Sequence, residues 1–184
     1  MKMTFPKRFL RGETGSLSVE AVLILPILIW AITATLVFWD AFRTLNISQK
    51  ATYTIAGMLS REEIDITADY LTSVHEIYDF LADTDGDNAL RVSVVTLSDE
   101  TGVEELELVW SEGVGGIDGY ENLTVLEQRI PNMALGDQLI VVESIQEWAP
   151  AFAVGLASYQ FREVALARPR FAATLCYETV PNCS

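Results

Sequence analysis

Arg11-Gly12-Glu13-Thr14-Gly15-Ser16-Leu17-Ser18-Val19-Glu20 leads directly into an apolar run from Ala21 to Trp39, and the reading of this stretch decides the architecture. The run is 19 residues long and is interrupted only by Pro26, Thr33 and Thr35. A membrane-crossing helix needs about 20 apolar residues, so one crossing is expected. An ordinary cleaved signal peptide has a shorter apolar part, roughly 7 to 15 residues, and a small-x-small site after it. No such site follows cleanly here, and Trp39-Asp40 reads instead as an interface boundary. Lys2, Lys7, Arg8 and Arg11 precede the run, which places the N-terminus on the cytoplasmic side and the body of the chain outside. Glu20 stands at the mouth of the run, where a charge is costly and calls for a partner.

The chain has 184 residues and a formal net charge of −14. Residues 16 to 184 hold 8 basic and 25 acidic groups, a net −17. An acidic surface of this kind repels phosphate backbones, so no nucleic acid is expected as a partner. The acidity reads as a means of solubility. Beyond the membrane run there is room for one domain of about 130 to 140 residues, enough to bury a core.

Helical spacing continues past the membrane run. Phe42, Leu45, Ile47, Ala51, Ile55, Met58 and Leu59 carry it to about Ser60, with Arg43, Asn46, Gln49 and Lys50 on the polar side. A helix from Ser16 to Ser60 would be about 67 Å long at ~1.5 Å per residue, so only part of it fits in lipid. Pro26 removes one backbone hydrogen bond and crowds the carbonyl of Val22, which predicts a kink. Ile66, Tyr70, Leu71, Val74, Ile77, Tyr78 and Leu81 predict a second helix over 65–82. The turn residues from Asp83 to Asn88 end it.

The period then changes to two. Leu90, Val92 and Val94 alternate with Arg91 and Ser93, and Leu106, Leu108 and Trp110 follow around Glu107, which predicts two strands joined as a hairpin. Gly113 to Gly119 reads as a flexible loop, and a short helix is expected at 121–129. Further strands are expected near 138–148 and 159–168, the last stopping at an edge or strand end where Arg168-Pro169-Arg170 stands. The fold class is therefore α+β, with a long membrane-spanning N-terminal helix, a second helix and an antiparallel sheet of about four strands. Three parts are expected: a basic cytoplasmic leader (1–15), a transmembrane and extended helix (16–60) and an outer α+β domain (61–184).

No catalytic constellation is legible. His75 is the only histidine, and Glu76 and Asp79 beside it do not make a nucleophile site, so a satisfied helix residue is expected. Gly113, Gly115, Gly116 and Gly119 are not followed by the Lys-Ser/Thr of a phosphate loop. Asp83, Asp85 and Asp87 alternate as calcium ligands can, but Asn88 and Val94 stand where an EF-hand loop needs Gly and Glu. A helix-ending turn is the expectation, with no metal and no cofactor. Cys176 and Cys183 are the two cysteines, and in an oxidising compartment they can close a loop whose turn Pro181 and Asn182 favour. Of the four tryptophans, Trp30 and Trp39 are assigned to lipid or its interface and Trp110 and Trp148 to the core.

The sharpest chemical signal joins Gly15 to Glu20. A peptidase working at the cytoplasmic membrane face needs a small, flexible residue before the scissile bond, and glycine supplies both properties. Cleavage would free the α-amine of Ser16, a cation at the lip of the bilayer. Glu20 on a neighbouring chain can pair with it, and a low-dielectric setting strengthens such a pair. Residues 11 to 43 resemble the TadE/TadG-like family of tight-adherence (Flp-type) pilus assembly proteins. Gly15, the Val19-Glu20 pair and Leu25-Pro26 carry the likeness, and the chain is similar to the small members of that family. The family often has an aromatic residue after the Glu, where this chain has Ala21.

The resemblance implies a pilin-like fold, cleavage between Gly15 and Ser16 by a prepilin peptidase, and a recognition or docking role for Glu20. The implied function is non-enzymatic: a minor pseudopilin-like protein for assembly or secretion of a type IVb (Flp/Tad) adhesive pilus. Its partners would be inner-membrane lipid, the peptidase, pilin and other pseudopilin subunits. The outer domain would be periplasmic, with entry of the protein into the fibre left open. An unprocessed single-pass membrane-anchored periplasmic binding domain is the alternative.

Overall fold

The computed structural model describes residues 16–83, 88–99 and 103–180. Gly15, Asp85, Asp87 and Cys183 lie outside the described residues. Helix α1 spans Ser16–Leu59 and α2 spans Ala68–Ala82. Four strands follow: β1 (Asn88–Ser98), β2 (Glu105–Val114), β3 (Gln138–Trp148) and β4 (Tyr159–Ala167). They form one antiparallel sheet in the order β2-β1-β3-β4. The architecture is α+β, with the helices first and the sheet behind.

The chain divides into two compact units. One holds the chain up to Asp40 together with Pro150–Ala157; the other holds Ala41–Ala149 and Ser158–Ser184. The division falls inside α1, within the segment 16–60 that the periodicity reads as one part.

In the second unit the outer half of α1 buries Ala51, Ile55, Ala56 and Leu59, at helical intervals, against the sheet. Leu71, Val74 and Tyr78 of α2 join the same core, which the sheet completes with Leu90, Val92, Val94, Ile140 and Val142. Each such aliphatic side chain contributes about 1.5–3 kcal/mol when fully buried. A smaller cluster of Val95, Leu139 and Val141 gathers around Leu126 from the β2–β3 connection. The register slips between Val94 and Val95, where Val94 faces Trp110 and Val95 faces Leu108. The extra residue is Val109 on β2, and it lets Leu108 and Trp110, two residues apart, serve different clusters.

α2 begins three residues later than the apolar spacing predicts. Thr67 is its N-cap, in extended conformation, and its side chain accepts from the Tyr70 N–H. Ile66 is used otherwise: it bridges to Tyr177, donating to the Cys176 carbonyl at 2.8 Å and accepting from the Glu178 N–H at 2.9 Å. The C-terminal segment is thereby strapped to the core. Trp110 Nε1 donates to the Leu175 carbonyl at 2.7 Å, and its ring stacks on Tyr177 at 5.4 Å. Cys176 is disulfide-bonded.

Two expectations change. The helix expected at 121–129 is reduced to a single 3-10 turn, Glu127–Arg129. Nine residues are too few to sustain a helix alone, and the turn serves to bury Leu126 in the smaller cluster. Gly113 and Gly119 are also not loop residues chosen for flexibility. Gly113 is the last residue but one of β2, and a Cβ there would run into the Ile117 carbonyl; one on Gly119 would strike that of Ser111. The backbone folds back on itself too closely for a side chain. β4 stops at Ala167 as an edge strand, just before Arg168-Pro169, because proline has no N–H for a ladder.

Candidate functional site

Among the described residues α1 is the one helix long and apolar enough to cross a membrane. From Val19 to Phe42 its large apolar side chains, Val37 excepted, are exposed, including Trp30 and Trp39. A helix apolar all round belongs in a non-aqueous solvent. Its two threonines are satisfied from within, as a bilayer requires. Thr33 Oγ1 donates to the Ile29 carbonyl at 2.8 Å and Thr35 Oγ1 to the Ala31 carbonyl at 2.9 Å. Trp110 and Trp148 are buried, as expected of them.

The candidate docking site lies at the start of this helix. Ser16 is the first residue of α1, which continues through Pro26 to Leu59. Glu20 is exposed one turn in and makes no hydrogen bond or ion pair among the described residues. It is thus a carboxylate at the mouth of an apolar helix with its bonding capacity unused among the described residues. The rest of the expected site, Gly15, lies outside the described residues.

A second polar centre escaped the sequence reading. Glu143 lies in the middle of β3, in the run Leu139-Ile140-Val141-Val142-Glu143-Ser144-Ile145, and is 2% exposed. Its Oε2 accepts from Arg91 Nη1 and from the Tyr120 hydroxyl, both at 2.7 Å. Its Oε1 makes no hydrogen bond and sits 3.7 Å from guanidinium nitrogens of Arg129 and Arg162. Arg91 also donates from Nε to the Asp118 carbonyl at 2.7 Å and lies 3.9 Å over the Tyr120 ring. Burial, and then the bond to Glu143, raise the Tyr120 pKa above its ordinary value. The cluster ties residues of the β2–β3 connection to β1, β3 and β4. A carboxylate inside an apolar run was the available signal for it, because a buried charge needs several partners.

The remaining candidates are structural. His75 Nε2 donates to the Asn88 carbonyl at 2.8 Å, and Nδ1 lies 3.7 Å from Asp79. Gly115, at φ +79, lets the chain pass close to this histidine. Asp83 closes α2 in the left-handed conformation, its N–H donating to the Asp79 carbonyl. Among the described residues no group of three His, Cys, Asp or Glu side chains is placed to hold a metal ion. A buried hydroxyl network links α1, α2 and β3: Ser48 bonds Tyr78 at 2.8 Å, and Thr52 bonds Ser144 at 2.6 Å. Burial raises the Tyr78 pKa, although the hydroxyls around it oppose the shift. Comparison with known proteins places no relative beside this chain: no protein-family model, no curated protein and no solved structure matches it.

Proposed function

We propose that this chain is a small TadE/TadG-like pseudopilin, a non-enzymatic membrane protein that takes part in assembling or secreting a type IVb (Flp/Tad) adhesive pilus. One observation carries the reading. A basic segment ending in Gly15 precedes Glu20 at the mouth of a helix whose large apolar side chains, Val37 excepted, are exposed for a membrane's length. A prepilin peptidase in the inner membrane cuts between Gly15 and Ser16. The freed amine of one subunit then meets Glu20 of the next, with pilin or another pseudopilin as the neighbour. The pair fixes the depth at which helices dock, because each charge left unpaired beside lipid is penalised. The four basic residues before the run keep that end cytoplasmic and the sheet domain periplasmic.

Replacing Gly15 by Trp should leave a longer, unprocessed protein on N-terminal sequencing. Wild-type protein that retains Met1 in piliated cells would overturn the processing step and favour the tethered binding domain. Glu20→Ala should lower the yield of sheared pili at least several-fold without changing the amount of protein in the membrane. Unchanged pilus yield would remove the docking role.

A further inference from the structure

The connection from β3 to β4 reads Ala149-Pro150-Ala151-Phe152-Ala153-Val154-Gly155-Leu156-Ala157-Ser158 and holds no charged residue. Connections that run over a water-facing surface are normally polar, and elsewhere this chain's surface is strongly acidic. Phe152 is 63% exposed, and Ala151, Ala153 and Ala157 are exposed beside it. None of these residues joins either hydrophobic core. At the base of the loop Trp148 pairs across the ladder with Tyr159, and Phe161 packs on both rings at 6.2 and 5.4 Å. Tryptophan and tyrosine are the residues enriched where a protein passes between lipid and water.

The loop does not group with the strands it joins. Pro150–Ala157 forms one compact unit with the chain up to Asp40, the apolar half of α1. Along that half one face is covered near its outer end. Val37 is 4% exposed, and Thr33 and Ala34 one turn earlier are half-buried, whereas Leu36 and Phe38 are open. The covered face lies within two turns of Trp39, where the apolar run ends.

We propose that the β3–β4 loop is a second membrane-contacting element, with Phe152 seated in the boundary between headgroups and acyl chains where α1 leaves the bilayer. This rests on the reading of α1 as membrane-spanning and not on the role in the pilus. The physics limits the depth. An irregular loop leaves backbone N–H and C=O groups unpaired, so it stays out of the hydrocarbon centre. An apolar side chain on such a loop reaches about 5–10 Å into the boundary. An acidic domain gains nothing from anionic headgroups, so uncharged apolar side chains are the contact that serves it.

The test is nitroxide labelling of the full chain in vesicles of phosphatidylethanolamine and phosphatidylglycerol, with the native disulfide left oxidised. Cysteine is placed by Ala153→Cys in the loop, Leu28→Cys in the apolar helix and Asp99→Cys as a water-facing reference. Collision of each label with oxygen, which favours lipid, is compared with collision with a nickel chelate, which favours water. Leu28 should read as lipid, and Ala153 should lie clearly between it and Asp99. Adding Phe152→Ser to the Ala153 label should raise its collision with the chelate at least threefold. A loop label that matches Asp99 while Leu28 reads as lipid would overturn the proposal alone. Water-like readings at Leu28 as well would overturn the spanning helix and the loop contact with it. No change with Phe152→Ser would overturn the anchoring role of that ring.

Discussion

From Val19 to Phe42, α1 turns its large apolar side chains outward, Val37 excepted; from Ser48 to Leu59 the same helix buries one stripe and leaves Lys50, Tyr53 and Thr54 exposed. Backbone geometry is shared, so the difference lies in the solvent each half is built for. The first half needs a surrounding that does not reward burial of its apolar groups inside protein. The second is an amphipathic helix in water, stabilised by packing on a sheet. Polar groups divide the same way. Thr33 and Thr35 bond carbonyls of their own helix, while Ser48 and Thr52 reach Tyr78 and Ser144 at 30 and 92 residues' separation. In lipid satisfaction must be local; in a packed core it can be tertiary.

Paired substitutions can break this contrast. The largest difference is expected from Leu59→Ala against Leu28→Ala. Leu59 is fully buried, so truncation removes transfer free energy and leaves a cavity, costing about 2–5 kcal/mol. Leu28 is exposed, and its truncation should leave urea unfolding of the outer unit unchanged within about 0.5 kcal/mol. Equal losses would mean that the apolar half of α1 is part of the folded core. A smaller difference is expected from Thr52→Val against Thr33→Val. Without the Thr52 hydroxyl the fully buried Ser144 Oγ loses one of its partners and keeps Tyr78, at about 1 kcal/mol. Thr33→Val removes donor and demand together and should be close to neutral. Chemical denaturation of both pairs in the same detergent checks the order.

The smallest expected effect concerns Glu163 on β4, whose pKa burial raises above its ordinary value. A carboxyl with a raised folded pKa favours the protonated form in the fold. The penalty is therefore fully present above the folded pKa and disappears as pH falls below the unfolded value of 4.5. Glu163→Gln should raise the Tm slightly at pH 7 and not at pH 4. A stabilisation that persists unchanged at pH 4 would show that charge is not its cause.

The sequence signals that proved legible share a physical basis. β1 alternates because one strand face meets the helices, and α2 repeats at three and four residues because one stripe does; in β2 the bulge at Val109 puts Trp110 on the helix side and Leu108 on the other. β3 was legible as an apolar run, but it is buried on both faces, so no alternation showed where Glu143 would point. The partners of that carboxylate come from residues 91, 120, 129 and 162. No local rule relates those positions, since strand pairing brings Arg91 and Arg162 to Glu143 and the fold of the β2–β3 connection brings Tyr120 and Arg129. The 3-10 turn at 127–129 and the close approach at Gly113 and Gly119 were missed for the same reason. At the candidate docking site the reverse holds: Glu20 is legible because the cost of a charge beside an apolar run depends on neighbours along one helix.

Composition and period along the chain determined the membrane-length helix, the second helix, the four strands and the exposed carboxylate at Glu20, because each depends on residues within a few turns of one another. The tertiary structure alone decided the strand order β2-β1-β3-β4, the four-membered environment of Glu143 and the grouping of Pro150–Ala157 with the apolar half of α1. Those features arise from contacts between segments tens of residues apart, and the free energy that selects them is that of packing, which no stretch of sequence carries by itself.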